Sequence, residues 1–135
     1  MIFSDEHRKT IAWYITALLY TIILVFFTTL PQITPPDLGF TLSDKVLHFG
    51  AYLLFGLFWY KVFALGYKGG KASIYLILFV YGSLFGFLDE YHQYFVPNRR
   101  MEAGDIAADI LGISVAIIIH KIIFKFQNRR KMKGL

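Results

Sequence analysis

The chain contains no cysteine in 135 residues. This absence excludes a disulfide framework, a thiolate zinc site and a cysteine nucleophile, and it leaves the redox state of the compartment open. Proline is also scarce, with four residues that all lie at positions 31–36 and 97. The long stretches between those positions therefore carry no helix-breaking residue.

Charged residues are scarce as well. They make up 17% of the chain, whereas 56% is hydrophobic and the mean hydropathy is +0.52. Soluble globular chains carry about a quarter charged residues, and disordered chains contain far fewer large apolar side chains than this one. The composition therefore excludes a soluble globular domain and a disordered chain, because one small core could not bury so many apolar side chains. We expect the excess to face lipid.

The apolar residues are concentrated in four stretches, at about 11–30, 46–65, 72–93 and 105–125. Some 20 residues of helix cross a hydrocarbon layer of about 30 Å. The stretches show no alternation of period two, and lipid cannot satisfy open strand edges, so each is predicted to be a helix. We predict an all-α integral membrane protein with four transmembrane helices in one domain, residues 1–135. The first stretch has no signal-peptide cleavage site after it, so we expect it to stay attached.

The basic residues are distributed unevenly over the connections and termini. Eleven of the 14 Lys and Arg residues lie within 1–10, 61–71 and 121–135. The positive-inside rule therefore predicts both termini in the cytoplasm. The basic tail at 127–133 is expected to lie on anionic lipid headgroups. Because topology accounts for the net charge of +5, we expect no nucleic-acid partner.

The other ionisable residues fall mostly at the opposite ends of the spans. Ionisable side chains at span edges are costly, so they are the first candidates for function. At 100° per residue, three stripes of polar and small residues are each predicted to share one helix face. They are Asp44, His48 and Tyr52 in the second span, Gly82, Gly86, Asp89 and Gln93 in the third, and Asp105, Ala108, Asp109, Gly112 and Ala116 in the fourth. The stripes are predicted to converge on one polar pocket.

Several of these residues also have a purely structural interpretation. Asp44 and Asp105 stand at predicted helix N-termini, where a carboxylate can cap the helix. His48 taken alone is most simply an interfacial histidine. Asp89 and Glu90 lack such an explanation, because the helix dipole disfavours anions at a C-terminus. Functional use, or pairing with a nearby arginine, explains these two carboxylates better.

The spacing of these residues resembles three signature segments of the VanZ-like family. The segments are Asp44-Lys45-x-x-His48-Phe49-x-x-Tyr52, Asp89-Glu90-x-x-Gln93-x-Phe95-x-Pro97-x-Arg99 and Asp105-x-x-x-Asp109-x-x-Gly112. Two positions depart from the pattern, since the family often has Asn at position 109 and Gly at position 98. The resemblance implies a small multi-pass protein of the bacterial cytoplasmic membrane. Founding members of the family are linked to low-level teicoplanin resistance, but the resemblance implies no known reaction.

The first functional hypothesis is that the pocket binds or processes an anionic lipid or a lipid-linked envelope precursor at the outer leaflet. The catalytic candidates, as acids and bases of a hydrolase or transferase, are Asp89, Glu90, His48 and Asp105. The candidates for binding the ligand are Lys45, Arg99, Arg100, Gln93, Asp44, Tyr52 and Asp109. A divalent cation is a candidate cofactor, with ligands among Asp89, His92, Asp105 and Asp109.

Two other functions stay open. In the second hypothesis the chain is a non-catalytic scaffold or partner-binding protein, and the polar cluster is an ion-pair network that holds the helices in register. The third, transport of a cation or proton, is disfavoured because the middles of the spans lack an ionisable relay. The sequence predicts no oligomeric state.

Overall fold

The computed structural model describes residues 5–31, 43–97 and 99–134 and is built there of four helices. Helix α1 covers Asp5–Thr29, α2 covers Ser43–Gly66, α3 covers Lys71–Gln93 and α4 covers Ala103–Lys133. Each is long and apolar enough to cross a membrane. The prediction of an all-helical protein with four spans is confirmed, and the described part of the chain contains no strand.

The helices extend beyond the predicted spans at both termini. Helix α1 begins at Asp5 rather than near 11, and α4 continues to Lys133, so the basic tail is helical. Helix α3 ends at Gln93, as predicted. The proline-rich connection at 32–42 and Asn98 lie outside the described residues.

Helices α2 and α3 contact each other, and α1 and α4 each pack against both of them. The closest approach is between α2 and α4, where a Cβ atom on Gly112 would lie 2.5 Å from the Phe49 carbonyl oxygen. Small residues allow membrane helices to pack at such distances. The predicted α4 stripe does face the bundle, and its members Asp105, Ala108, Asp109, Gly112 and Ala116 are all buried.

Aromatic side chains fill the centre of the bundle. Tyr52 and Phe55 of α2 are fully buried, and the Phe55 ring stacks on Phe85 with 4.9 Å between the ring centroids. Aromatic residues of membrane proteins also lie at the lipid interface. Composition therefore does not separate core aromatics from lipid-facing ones.

The bundle has two ends of different character. The end that holds the start of α2, the end of α3 and the start of α4 is called the polar end here. The opposite end holds the start of α1, the turn at 67–70 and the end of α4, and it is called the basic end.

Candidate functional site

Four buried carboxylates meet at the polar end: Asp89 and Glu90 of α3, and Asp105 and Asp109 of α4. Glu90 and Asp109 are 0% exposed. Gly86 makes room for this arrangement, because a Cβ atom there would lie 3.0 Å from Oδ2 of Asp109. The phase of α3 and α4 thus brings the predicted carboxylates together.

His48 of α2 lies between two of these carboxylates. Its Nδ1 atom is 3.0 Å from Oδ1 of Asp109, and its Nε2 atom is 3.6 Å from Oε1 of Glu90. The first distance is a hydrogen bond, and the second is an ion-pair distance rather than a hydrogen bond. His48 therefore links α2 to both α3 and α4 and is more than an isolated interfacial histidine.

Asp89 is held by hydroxyl groups from two other helices. Thr28 of α1 donates to its Oδ1 atom at 2.7 Å, and Tyr52 of α2 donates to its Oδ2 atom at 3.1 Å. Sequence reasoning missed Thr28, because threonine is ordinary in an apolar span and nothing near it in the sequence is charged.

Lys45 bridges two carboxylates near the surface. Its Nζ atom lies 3.0 Å from Oε2 of Glu102 and 3.2 Å from Oδ1 of Asp105. The interpretation of Asp105 as a helix cap is thus less apt than pairing with α2. Glu102 also donates its backbone N–H to Oε2 of Glu90 at 3.1 Å, which ties the start of α4 to the end of α3.

Arg99 differs from Lys45 because its partners are neutral. The guanidinium donates to Oε1 of Gln93 at 2.9 Å and to the carbonyl oxygens of Leu30 at 3.1 Å and Phe27 at 3.4 Å. Within the described ranges, no carboxylate lies at ion-pair distance from it. The positive charge of Arg99 is therefore not neutralised by a carboxylate of the described chain.

Three predicted site residues lie outside the buried cluster. Asp44, His92 and Arg100 are exposed. His92 follows Asp89 by three residues and is exposed at the edge of the buried face of α3, whereas Asp89, Glu90 and Gln93 are buried. His92 therefore does not belong to the buried cluster, although it follows Asp89 on the same side of the helix.

The potential metal ligands that come together also differ from the predicted set. In the described part of the chain, ligand atoms of Asp44, His48 and Asp105 all lie within 4.8 Å of one another. Of the four predicted ligands, Asp105 belongs to this group. Carboxylate and imidazole donors of this kind suit a divalent cation such as Mg²⁺, Mn²⁺ or Zn²⁺.

Three buried polar atoms of the site make no hydrogen bond with the described residues: Oε1 of Glu90, Oδ2 of Asp109 and Nε2 of Gln93. Buried polar groups are nearly always paired, and an orphaned one costs free energy. The cluster therefore has hydrogen-bonding capacity that its own side chains do not use.

A cleft of about 440 Å³ opens between α1 and α2 beside the cluster. Most of its wall is apolar, and its polar groups come from seven residues that include Asp89 and His48 of the cluster. The lining residues are Tyr20, Ile23, Leu24, Phe27, Thr28, Asp44, Leu47, His48, Ala51, Tyr52, Asp89 and Arg99. Its volume is within the range of ligand sites in proteins, about 300–1,000 Å³.

The fold and the site define a small helical membrane protein with a buried carboxylate and histidine cluster at one end. The chain belongs to the VanZ/LLP1 family, whose model matches residues 10–124. An uncharacterised protein of the fission yeast Schizosaccharomyces pombe is 30% identical over 118 residues, which cover 87% of this chain and 66% of that protein. The chain thus spans just under two thirds of that relative. No solved structure matches the chain.

The yeast relative bears on where the protein resides. The four candidate spans support a multi-pass membrane protein. Because a eukaryotic protein is among the relatives, membership of the family does not by itself assign the chain to a bacterial membrane.

Proposed function

We propose that this VanZ-like protein binds an amphipathic phosphate, either an anionic lipid or a lipid-linked envelope precursor, at the polar end. The observation that carries the proposal is the cleft between α1 and α2. Apolar side chains form most of its wall, and Arg99, His48 and Asp89 also line it. A hydrocarbon chain fits the wall, and a phosphate group fits the polar residues.

Arg99 is the group proposed to hold the phosphate. Among the described residues its partners are carbonyl and amide groups, which do not neutralise its charge, whereas Lys45 is already paired with two carboxylates. Guanidinium binds phosphate oxygens bidentately. Arg100 is exposed next to it and offers a second positive charge at the entrance.

The carboxylates of the cluster repel phosphate, so the proposal gives them another task. Asp44, His48 and Asp105 are placed to hold a divalent cation, which would join the phosphate to the acidic side of the site. Turnover is a further part of the proposal. In a hydrolase or transferase that works without the cation, His48, oriented by Asp109, would take the proton of the attacking hydroxyl group, and Asp89, Glu90 or Asp105 would give a proton to the leaving group.

We also propose where the site lies in the membrane. The distribution of basic residues supports cytoplasmic termini, which puts the polar end at the outer leaflet. A bacterial inner membrane suits a ligand of the cell envelope. Tolerance of teicoplanin would then be one consequence of binding such a ligand, as the resemblance to founding members of the family suggests.

The test measures lipid binding by native mass spectrometry on protein purified in detergent. Phosphatidic acid is added with and without Mg²⁺, and the variants are Ala51→Leu, which fills the cleft, and Arg99→Gln, which removes the charge. Arg99→Gln should weaken binding by about tenfold or more, since a charge-assisted hydrogen bond contributes about 1.5–3 kcal/mol. Ala51→Leu should weaken binding because the larger side chain occupies the space of the hydrocarbon chain. A chelator should weaken binding to the wild type as well.

Two matched variants control for effects of a larger side chain or of a lost charge that do not arise in the cleft. Ala107→Leu places the same side chain on an exposed position of α4, and Arg100→Gln removes the neighbouring exposed charge. Ala107→Leu should leave binding unchanged, and Arg100→Gln should weaken it less than Arg99→Gln does. Equal binding to all four variants and the wild type would refute the phosphate proposal.

The scaffold function is the alternative that a specific observation favours. Lys45 pairs with Asp105, and His48 pairs with Asp109, so two polar contacts join α2 to α4 inside the bundle. In the scaffold function these pairs hold the helices in register and no lipid binds the cleft. Absence of bound lipid together with lower thermal stability of Arg99→Gln would support it.

A further inference from the structure

A second cavity, of about 320 Å³, lies at the basic end, on the opposite side of the bundle from the carboxylates. All four helices contribute to it. No acidic residue lines it, and its polar groups come from Trp13, Tyr60, Lys61, Lys71, His120 and Gln127.

His120 is the fixed polar group of this cavity. It is 6% exposed, and its ring stacks on Tyr60 with 3.8 Å between the ring centroids. Its Nε2 atom makes no hydrogen bond with any described residue. A buried ring nitrogen without a partner is uncommon in folded proteins, so His120, which lines the cavity, has an unused bonding position.

The two lysines bring positive charge to the same space. Lys61 lies near the end of α2 and Lys71 at the start of α3, and both are exposed. Neither forms an ion pair within the described ranges. Lys61 lies over the Trp13 ring, with 5.7 Å from Nζ to the ring centroid. The cavity thus combines unneutralised cations with an aromatic wall.

We infer that the cavity at the basic end binds a phosphate ester of net negative charge, with Lys61 and Lys71 on the phosphate oxygens and Nε2 of His120 as a further hydrogen-bonding group. Basic pockets between membrane helices hold phospholipid headgroups by the same chemistry. Apolar side chains in the wall, such as Leu65 and Phe124, would contact the glycerol and the first carbons of an acyl chain. This site is separate from the cleft at the polar end, and the inference does not rest on the proposed function.

The test compares two double variants of the full chain in detergent. Lys61→Gln with Lys71→Gln removes the cavity charges, whereas Lys125→Gln with Arg129→Gln removes two exposed charges of α4 that do not line it. Binding of phosphatidic acid, phosphatidylcholine and inorganic phosphate is measured for each, on protein that also carries Arg99→Gln to weaken the polar end. The first pair should lose about tenfold in affinity for phosphatidic acid, and the control pair less than about threefold.

A third variant keeps the test independent of surface charge. His120→Phe retains the stacking on Tyr60 but removes Nε2, and it should also weaken phosphatidic acid binding while thermal unfolding shows that the protein is folded. If inorganic phosphate competes for the same lysines, the site takes a soluble phosphate; if it does not, the site takes a lipid headgroup. Equal affinity in the wild type and the Lys61/Lys71 variant, or equal binding of phosphatidylcholine, would overturn the inference.

Discussion

At the scale of single residues, the described part of the polar end contains four buried carboxyl groups, at Asp89, Glu90, Asp105 and Asp109, and His48 is the buried basic side chain among them. Glu90 and Asp109 are fully buried, and each has one oxygen without a hydrogen bond in the described part of the chain. Leaving a buried charge incompletely paired is destabilising. Groups of this kind are common at binding and catalytic sites, where function is retained at the cost of stability. These two carboxylates are therefore stronger evidence for a functional site than its exposed residues are.

The first prediction concerns Glu90→Gln. The amide oxygen can still accept the backbone N–H of Glu102, while the buried negative charge is removed. We expect the free energy of unfolding to stay the same or rise by about 1 kcal/mol, because desolvation of a carboxylate is relieved. Unfolding of the purified protein in mixed micelles measures this value.

Glu102→Gln serves as the control for this variant. Glu102 is an exposed partner of Lys45, and an exposed ion pair contributes at most about 1 kcal/mol to the free energy of unfolding. Glu102→Gln should therefore lower it by no more than that. If Glu90→Gln instead lowers the free energy of unfolding by about 2 kcal/mol or more, roughly the cost of breaking a buried pair, then Glu90 and His48 form a structural ion pair. The scaffold function would then be favoured.

At the scale of secondary structure elements, α2 and α4 form the closest pair. A Cβ atom on Gly112 would lie 2.5 Å from the Phe49 carbonyl oxygen and 2.8 Å from the Leu53 nitrogen. Both neighbours are backbone atoms, which cannot turn aside as a side chain can. The position of His48 relative to Asp109 depends on this approach, so packing and site geometry are coupled.

The second prediction uses two glycines of this helix pair. Gly112→Ala should destabilise the protein by about 1–3 kcal/mol, as overpacking usually does. Gly50→Ala, where nothing lies within 4 Å of the added Cβ atom, should stabilise it by about 0.5–1 kcal/mol through helix propensity. Unfolding in mixed micelles measures both changes, and equal stability of the two variants would contradict the described packing.

The helix faces could be predicted from the sequence because a period of 3.6 residues and the placement of small residues determine them. The buried faces of α3 and α4 follow from that pattern, including Asp89, Gln93 and Asp109. His92 shows the limit of spacing arguments, because three residues along a helix leave it at the edge of the buried face. The spacing alone does not fix where the centre of that face lies.

The cleft and the second cavity could not be predicted in the same way. Both depend on how α1 lies against the other helices, and no charged residue between positions 11 and 30 marks the face of the first span that is buried. Thr28 and the carbonyl partners of Arg99 also come from α1 or just after it. Contacts between residues far apart in the chain determine these features.

At the scale of the whole molecule, the asymmetry of charge between the two ends determines how the chain should lie in a membrane. The basic end carries most of the Lys and Arg residues, and the polar end carries the buried carboxylates. The positive-inside rule predicts the basic end in the cytoplasm. In this arrangement the proposed site at the polar end would take lipid from the outer leaflet, and the proposed site at the basic end would take lipid from the inner leaflet.

The third prediction tests that topology, and the absence of cysteine makes the background clean. Met101→Cys at the polar end should react with a membrane-impermeant thiol reagent in intact cells. Lys131→Cys at the basic end should react only after the cells are opened, because both positions are exposed and differ in side alone. The reverse pattern would place the polar end in the cytoplasm.

The central claim is that the cleft beside the carboxylate cluster holds the hydrocarbon chain of an amphipathic phosphate. The most direct measurement is a crystal structure grown in a lipid phase that contains phosphatidic acid with brominated acyl chains. The account predicts anomalous bromine peaks inside the cleft between α1 and α2, with the phosphate at hydrogen-bond distance from Arg99. Bromine peaks confined to the outer faces of the bundle, with none in the cleft, would contradict it.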